Sequence, residues 1–178
     1  MVSVMGKKQI ILYVASSLDG FIARTNGDVD WLFTDQDYGY SDFYEIIRTI
    51  IMGNTTYQQV LSFGEFPYSY KDCLVFSRNK NNVKDEHVTF VHEDVTEFIE
   101  QLNPGDDKKI WLVGGAMIIA EFLKNDLIDE FIISIHPVLL GNGIPLFKEI
   151  SGEKKLKFID VRTFNSGLVQ VYYTRNGT

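Results

Sequence analysis

Residues 110–147, IWLVGGAMIIAEFLKNDLIDEFIISIHPVLLGNGIPLF, constrain the fold more than any other stretch. An apolar strand, a Gly-Gly pair, a helix and a second apolar strand ending at Pro137 follow one another with almost no spacer. Strand, helix and strand in that order build a parallel sheet with helices on its faces. Gly114 and Gly115 lack Cβ atoms, so the backbone there can take φ values closed to other residues and can come close to a ligand. The amides opening the next helix would then face whatever sits beside the turn, a pyrophosphate being the best complement. An ordinary tight strand-to-helix turn has the same letters, so the neighbouring segments must decide.

Strand-like runs recur at 9–15, 49–53, 73–77, 88–91, 109–114, 130–140, 155–164 and 168–174. Helix-period stretches lie at 41–48, 55–62, 95–103 and 117–125. The alternation predicts a single α/β domain over residues 1–178, with a mostly parallel central sheet and helices on both faces. Asn165, Ser166 and Gly167 form a turn cluster, so 155–174 is expected as a C-terminal antiparallel hairpin closing one edge.

A hydrophobic fraction of 45% and 13% aromatic residues are those of a folded globule. The net charge of -7, from 17 basic and 24 acidic residues, argues against nucleic acid or an anionic membrane as main partner, so any anionic ligand must be met by local groups. The opening MVSVMGKKQIILYVASS turns polar too soon for a secretory signal or a membrane span, and a cytoplasmic protein is expected. One cysteine and three scattered histidines give no disulfide and no metal-ligand spacing. Cys73, at the start of CLVFS, reads as a buried structural thiol.

Two further strand ends carry polar groups. IIMGNTTYQQV places Asn54, Thr55 and Thr56 at a helix start, where they would cap the helix or, by the same physics, hold a phosphate. LVFSRN ends in Ser77, Arg78 and Asn79, where a guanidinium could clamp a phosphate or simply be solvated. Ligands of open α/β sheets bind outside the carboxyl ends of the strands, so three such ends on one sheet edge make one extended nucleotide site. Neither a P-loop nor GxGxxG is present. Residues 17–40 form a long aromatic-containing loop, read as a lid beside these ends, and Trp31 as its packing residue. His136, next to Pro137 on an apolar strand, reads as a hydrogen-bonded structural histidine. The apolar run 130–140 and the edge hairpin suggest a homodimer surface.

The set SSLDGFIA (16–23), IMGNTTYQ (51–58), VFSRN (75–79), WLVGGAMI (111–118) and LIDEFIISIHPVLLGNGIPLF (127–147) resembles the dihydrofolate-reductase-like family. The resemblance is strongest to the branch related to the reductase domain of riboflavin biosynthesis. It implies an NADPH-dependent reductase acting on a small heterocyclic or carbonyl substrate, with a pyrimidine of the riboflavin pathway, as in 5-amino-6-(5-phosphoribosylamino)uracil reductase, as a candidate. By position it implies that Asn54, Thr55 and Thr56 bind cofactor phosphates, that Gly114, Gly115, Ala116 and Met117 hold the pyrophosphate, and that Ser77, Arg78 and Asn79 surround the 2′-phosphate. Ala15 and Ile22 would lie near the nicotinamide, and Asp19 at the substrate mouth as the candidate catalytic residue. The Gly114–Gly115 peptide is expected to be cis on the same ground.

The chain departs from that family at Asn54, where Arg or Lys is common, leaving Arg78 and Lys80 to supply NADPH preference. Asp35, Asp37 and Asp42 lie near the position of the folate enzymes' acid, and none aligns with it. One cysteine cannot supply a zinc deaminase signature, so a reductase-like unit alone is expected. A folate reductase and a nucleotide-binding protein without turnover are the alternatives.

Overall fold

The computed structural model describes residues 8–81, 85–102, 109–148 and 150–176. Its elements are β1 (Ile10–Ser17), β2 (Phe21–Ala23), α1 (Tyr40–Ile46), β3 (Ile47–Gly53), α2 (Asn54–Ser62), β4 (Asp72–Phe76), β5 (Thr89–Val91), α3 (Val95–Gln101), β6 (Lys109–Gly114), α4 (Ala116–Lys124), β7 (Glu130–His136), β8 (Ile144–Pro145), β9 (Leu156–Thr163) and β10 (Val169–Arg175).

The apolar runs become the interior of an eight-stranded sheet, ordered β5-β4-β3-β6-β1-β7-β10-β9. From β5 to β7 neighbouring strands are parallel, and β10 and β9 close the sheet antiparallel, as the turn at 165–167 predicts. Interior strands are covered on both faces, which is why β1 and β7 read as continuous apolar runs rather than alternating ones. Ile10 and Leu12 of β1 and Phe131 and Ile133 of β7 face one core layer, with Val95 and Ile99 of α3 and Ile119 and Phe122 of α4. Ile11 and Ile132 face the other, with Phe43 of α1 and Tyr57 of α2. Full burial of a side chain such as Phe122 or Ile51 contributes roughly 1.5–3 kcal/mol.

The chain leaves β1 for β3, works outward to β5, returns to place β6 between β3 and β1, and crosses to β7 on the far side of β1. That reversal lies among the carboxyl ends of β1, β3 and β6, where an open α/β sheet takes its ligands.

Three expectations change. Helix 41–48 ends at Ile46, because Ile47 and Thr49 pair with β6 and the sheet claims them. The strand expected over 130–140 stops at His136, before Pro137, which has no N–H to donate. Phe131, Ile132 and Ile133 are buried inside the sheet, which accounts for the apolar character of β7. The helix expected over 95–103 ends at Gln101, and Asn103 lies outside the described residues. Strands β2, hidden in the loop of residues 17–40, and β8, in the segment after β7, were not legible: they pair over a few residues only. Among the described residues no helix is long and apolar enough to cross a membrane.

Candidate functional site

Three neighbouring parallel strands end side by side. Gly53 of β3 stands opposite Phe76 of β4, and Met52 stands opposite Gly114 of β6. Gly53 leads directly into α2, and Gly115 directly into α4. Neither helix has a side-chain cap, whereas the Asp94 side chain caps α3 by accepting from the amides of Thr96 and Glu97. Both helix dipoles favour an anion at these two starts.

The two helix starts also touch. A Cβ on Gly115 would lie 3.2 Å from Thr56 Oγ1, and one on Gly53 would lie 3.8 Å from Ile118 and 4.0 Å from the Gly114 carbonyl oxygen. Gly114 has φ 123°, a conformation that favours glycine, and the Gly114–Gly115 peptide is cis, as the resemblance implies. Asn54 and Thr56 are half-buried here and Thr55 is exposed. Ala116 is buried, while Met117 is exposed.

Beyond β4, Ser77 is buried and donates its amide to Val91 O at 3.0 Å, and its Oγ accepts the Asn79 amide at 3.2 Å. His92 Nδ1 lies 2.8 Å from Ser77 O. This network fixes the turn and leaves Arg78 and Asn79 exposed at its tip. Ser77, Asn54 to Thr56 and Gly115 thus occupy the ends of three adjacent strands, as the sequence predicts. Ala15 lies on β1, in register with Ser134 of β7. Ile22 lies on β2 and packs against the core.

Asp19 sits where β1 passes into the first loop. Its carboxylate accepts from Ser17 Oγ at 2.6 Å and from the amides of Leu140 and Gly141 at 3.1 and 2.7 Å. The Ser17 hydrogen bond, with those amides, holds its pKa below the usual carboxylate range, so Asp19 is an acceptor at neutral pH. Asp35 accepts from Tyr38 OH at 2.7 Å, and Asp37 from the Ser41 amide at 3.1 Å, which occupies both with local structure.

Residues 17–40 are fastened at several points. Gln59 of α2 donates to Gly27 O at 2.7 Å, and β2 pairs with β8. The Phe33 amide donates to His136 Nε2 at 3.2 Å, and the Trp31 ring lies edge-on to His136 at 5.2 Å. Trp31 Nε1 is buried and finds no partner among the described residues, so a ligand or water would have to satisfy it. His136 is the structural histidine expected. Burial pushes its pKa down, so the neutral ring accepts from Phe33 while Nδ1 faces Ser134 O at 3.2 Å.

An imidazole with a lowered folded pKa gives its full stability above its ordinary value of 6.5 and loses it as the pH falls toward the folded value. A protonated Nε2 can no longer accept the Phe33 amide. Amide exchange in residues 29–36 should therefore accelerate as the pH falls below 6.5, once the intrinsic pH dependence of exchange is removed, while the interior strands barely change. Unchanged protection would show that His136 does not hold the loop.

Sequence reasoning missed Gln170. It is 1% exposed and donates to Ser134 Oγ at 2.9 Å, while Tyr172 OH donates to its Oε1. A glutamine on an inward position of LVQVYYT was the available signal, since a buried amide needs partners. Cys73 is buried as expected, and burial pushes its thiol up to about 12, which excludes a thiolate nucleophile at neutral pH.

A cleft of about 650 Å³ lies at the amino end of β7, lined by Leu123, Ile128 and Phe131 and rimmed by charged residues. Of its rim charges, Lys154 pairs with Asp126 at 2.6 Å, and Arg175 reaches Asp129 outside the cleft at 3.2 Å. It is remote from the glycine-rich strand ends, which are the better candidate.

The fold is that of the dihydrofolate-reductase-like α/β proteins. The chain belongs to the RibD C-terminal domain family, whose model matches residues 69–170. It is 43% identical over 173 residues to the uncharacterized protein YwjB of Bacillus subtilis (strain 168), covering 95% of this chain and 99% of that one. It is 39% identical over 183 residues to YyaP of the same organism, also uncharacterized, covering 96% and 97%. A crystal structure from Shewanella sp. PV-4, assigned provisionally to riboflavin biosynthesis, superposes with a TM-score of 0.82 at 32% identity over 94% of this chain and 99% of that one. The diaminohydroxyphosphoribosylaminopyrimidine deaminase/5-amino-6-(5-phosphoribosylamino)uracil reductase of Thermotoga maritima shares the fold at TM-score 0.74 and 21% identity, over 95% of this chain and 57% of its own. Dihydrofolate reductase from Enterococcus faecalis does so at 0.71 and 16%, over 94% and 96%.

Proposed function

We propose that this protein is an NADPH-dependent reductase that reduces a small heterocyclic or carbonyl substrate, a pyrimidine of the riboflavin pathway being the first candidate. The observation that carries this reading is the meeting of two helix starts without side-chain caps at Gly115 and Thr56, on adjacent strand ends. That donor set fits a pyrophosphate: backbone amides, two threonine hydroxyls, and a glycine whose missing Cβ leaves space for close approach. Family membership and the names of the Shewanella and Thermotoga proteins support the pathway, and the NADP(H) in the Enterococcus structure supports the cofactor.

In this reading Asn54, Thr55 and Thr56 and the backbone of Gly114 to Met117 hold the cofactor phosphates. Ser77, Arg78 and Asn79 take the 2′-phosphate, and Ala15 and Ile22 flank the nicotinamide. The cofactor, when bound, supplies a hydride. The protein's part is positioning: the loop of residues 17–40 limits water, and Asp19, held as a carboxylate, orients the substrate mouth.

The deciding measurement follows NADPH absorbance with purified protein and either a phosphoribosylamino-pyrimidine or dihydrofolate. Turnover of the pyrimidine supports the proposal, and turnover of dihydrofolate alone makes the protein a folate reductase. Tight NADPH binding without turnover of either would favour a binding protein of this fold, and absence of NADPH binding would overturn the cofactor assignment.

A further inference from the structure

Reduction of a C=N or C=O bond needs a proton on the heteroatom as well as a hydride on carbon. Neither Asp19 nor His136 has that proton to give at neutral pH. Asp19 is a carboxylate that accepts from Ser17 Oγ and two amides. His136 is a neutral ring that accepts from the Phe33 amide at Nε2 and meets Ser134 O at Nδ1. A third titratable group lies close by. Side chains two apart on a strand point to the same face, so Tyr13 shares its face of β1 with Ala15. Ala15, Ser134 and Gln170 stand in register across β1, β7 and β10, and Tyr13, Ile132 and Tyr172 form the row before them.

The Tyr13 hydroxyl meets the side chains of the Ala15 row. Gln170 Nε2 lies 3.5 Å from it, and Ser134 is the second hydrogen-bonding side chain beside it. The same Nε2 donates to Ser134 Oγ at 2.9 Å while Tyr172 OH holds Oε1, so the amide turns its donor side toward Tyr13. Burial pushes the pKa of Tyr13 up, and the hydrogen bonds from Gln170 and Ser134 pull it down. The phenol is therefore protonated at neutral pH, and its phenolate has two donors already in place. Phe43 at 4.3 Å and Trp111 at 6.1 Å pack the ring, yet Tyr13 and Ala15 are both only half-buried. Asp37, Tyr40 and Tyr172 are the other titratable groups around it, with Arg162 beyond the Tyr172 ring at 5.2 Å.

We propose that Tyr13 is the proton donor of the reduction, an inference that rests on the reductase reading above. The substrate lies against Ala15, with the heteroatom of its C=N or C=O bond at the Tyr13 hydroxyl. As carbon gains the hydride, the π pair moves onto nitrogen or oxygen, the Tyr13 O–H bond breaks and an N–H or O–H bond forms. The phenolate, held by Gln170 and Ser134, then recovers a proton from solvent. A nitrogen or oxygen anion formed in this way is a far stronger base than a phenolate, so even a phenol of raised pKa yields its proton to it.

Tyr13→Phe removes one oxygen and keeps the ring that Phe43 and Trp111 pack, so circular dichroism should match the parent. With the phosphoribosylamino-pyrimidine or dihydrofolate, whichever the parent reduces, kcat should fall roughly hundredfold or more, the usual weight of a general acid. NADPH affinity, followed by fluorescence titration, should stay at the parent's value. Calorimetry of the same unreduced substrate with protein saturated in NADP+, where no turnover occurs, should show a Kd raised roughly threefold to tenfold by the lost hydrogen bond. A variant that keeps the parent's kcat overturns the inference and leaves the reductase reading standing. A variant that loses NADPH affinity in step with kcat makes Tyr13 a packing residue and overturns it too. A parent that binds NADPH and reduces neither substrate overturns both.

Discussion

Arg78→Ala is expected to weaken NADPH by roughly ten- to a hundredfold, the loss of a charged hydrogen bond of about 1.5–3 kcal/mol, and to leave NADH almost unchanged. Only NADPH carries the 2′-phosphate that a guanidinium can grip in two places. Arg78 is exposed at the tip of a turn that Ser77, Asn79 and His92 already hold together, so its removal should not unsettle the scaffold. Asn54 makes the test sharper, since a cation is absent from the start of α2 and cannot compensate there. Titration of both cofactors against parent and variant measures this. Equal losses for the two would show that Arg78 acts through packing, and no loss would move the 2′-phosphate elsewhere.

The second large effect is steric and lies in the loops. Gly143→Ala would place a Cβ 2.4 Å from the Ala23 carbonyl oxygen and 3.2 Å from the Phe21 side chain. The oxygen belongs to backbone in β2 and cannot step aside without parting β2 from β8. Overpacking of this kind typically costs about 1–3 kcal/mol, and here the cost falls on the support of the first loop. Gly141 is the control: alanine there meets nothing within 4 Å but must hold φ 74°, a torsional penalty of roughly 1–2 kcal/mol with no collision. Thermal unfolding combined with amide exchange should show Gly143→Ala loosening residues 21–23, and Gly141→Ala leaving their pairing intact. Equal protection of residues 21–23 in parent and Gly143→Ala would mean that the collision is relieved without parting the two strands.

The sheet was legible because burial on two faces leaves unbroken apolar runs: β6 and α4 match the pattern of the letters to within a residue, while β7 stops four residues short of its apolar run. The strand-end positions were legible for a related reason. Glycine, asparagine, threonine and serine directly after such runs are where backbone amides come free. What stayed hidden depends on partners far away in sequence. Gln59 reaches Gly27, and His136 receives the amide of Phe33, contacts with no periodicity to betray them. Strands β2 and β8 are too short to carry an alternating pattern and exist only through each other. Asp19 was visible as an acid in a loop, yet its hydrogen bonds to Leu140 and Gly141 could not be read from either segment alone.

Those bonds have a mechanical consequence. Leu18 donates to Val138 O, Leu146 to Gly20 O, and Asp19 receives two amides from the same neighbour, so residues 17–23 and 138–146 are stitched together along their whole contact. Two loops joined in this way have one degree of freedom between them. Any motion that admits a ligand to the end of β1 must swing both as a single flap, and a change that slackens either loop will be felt at full strength in the other.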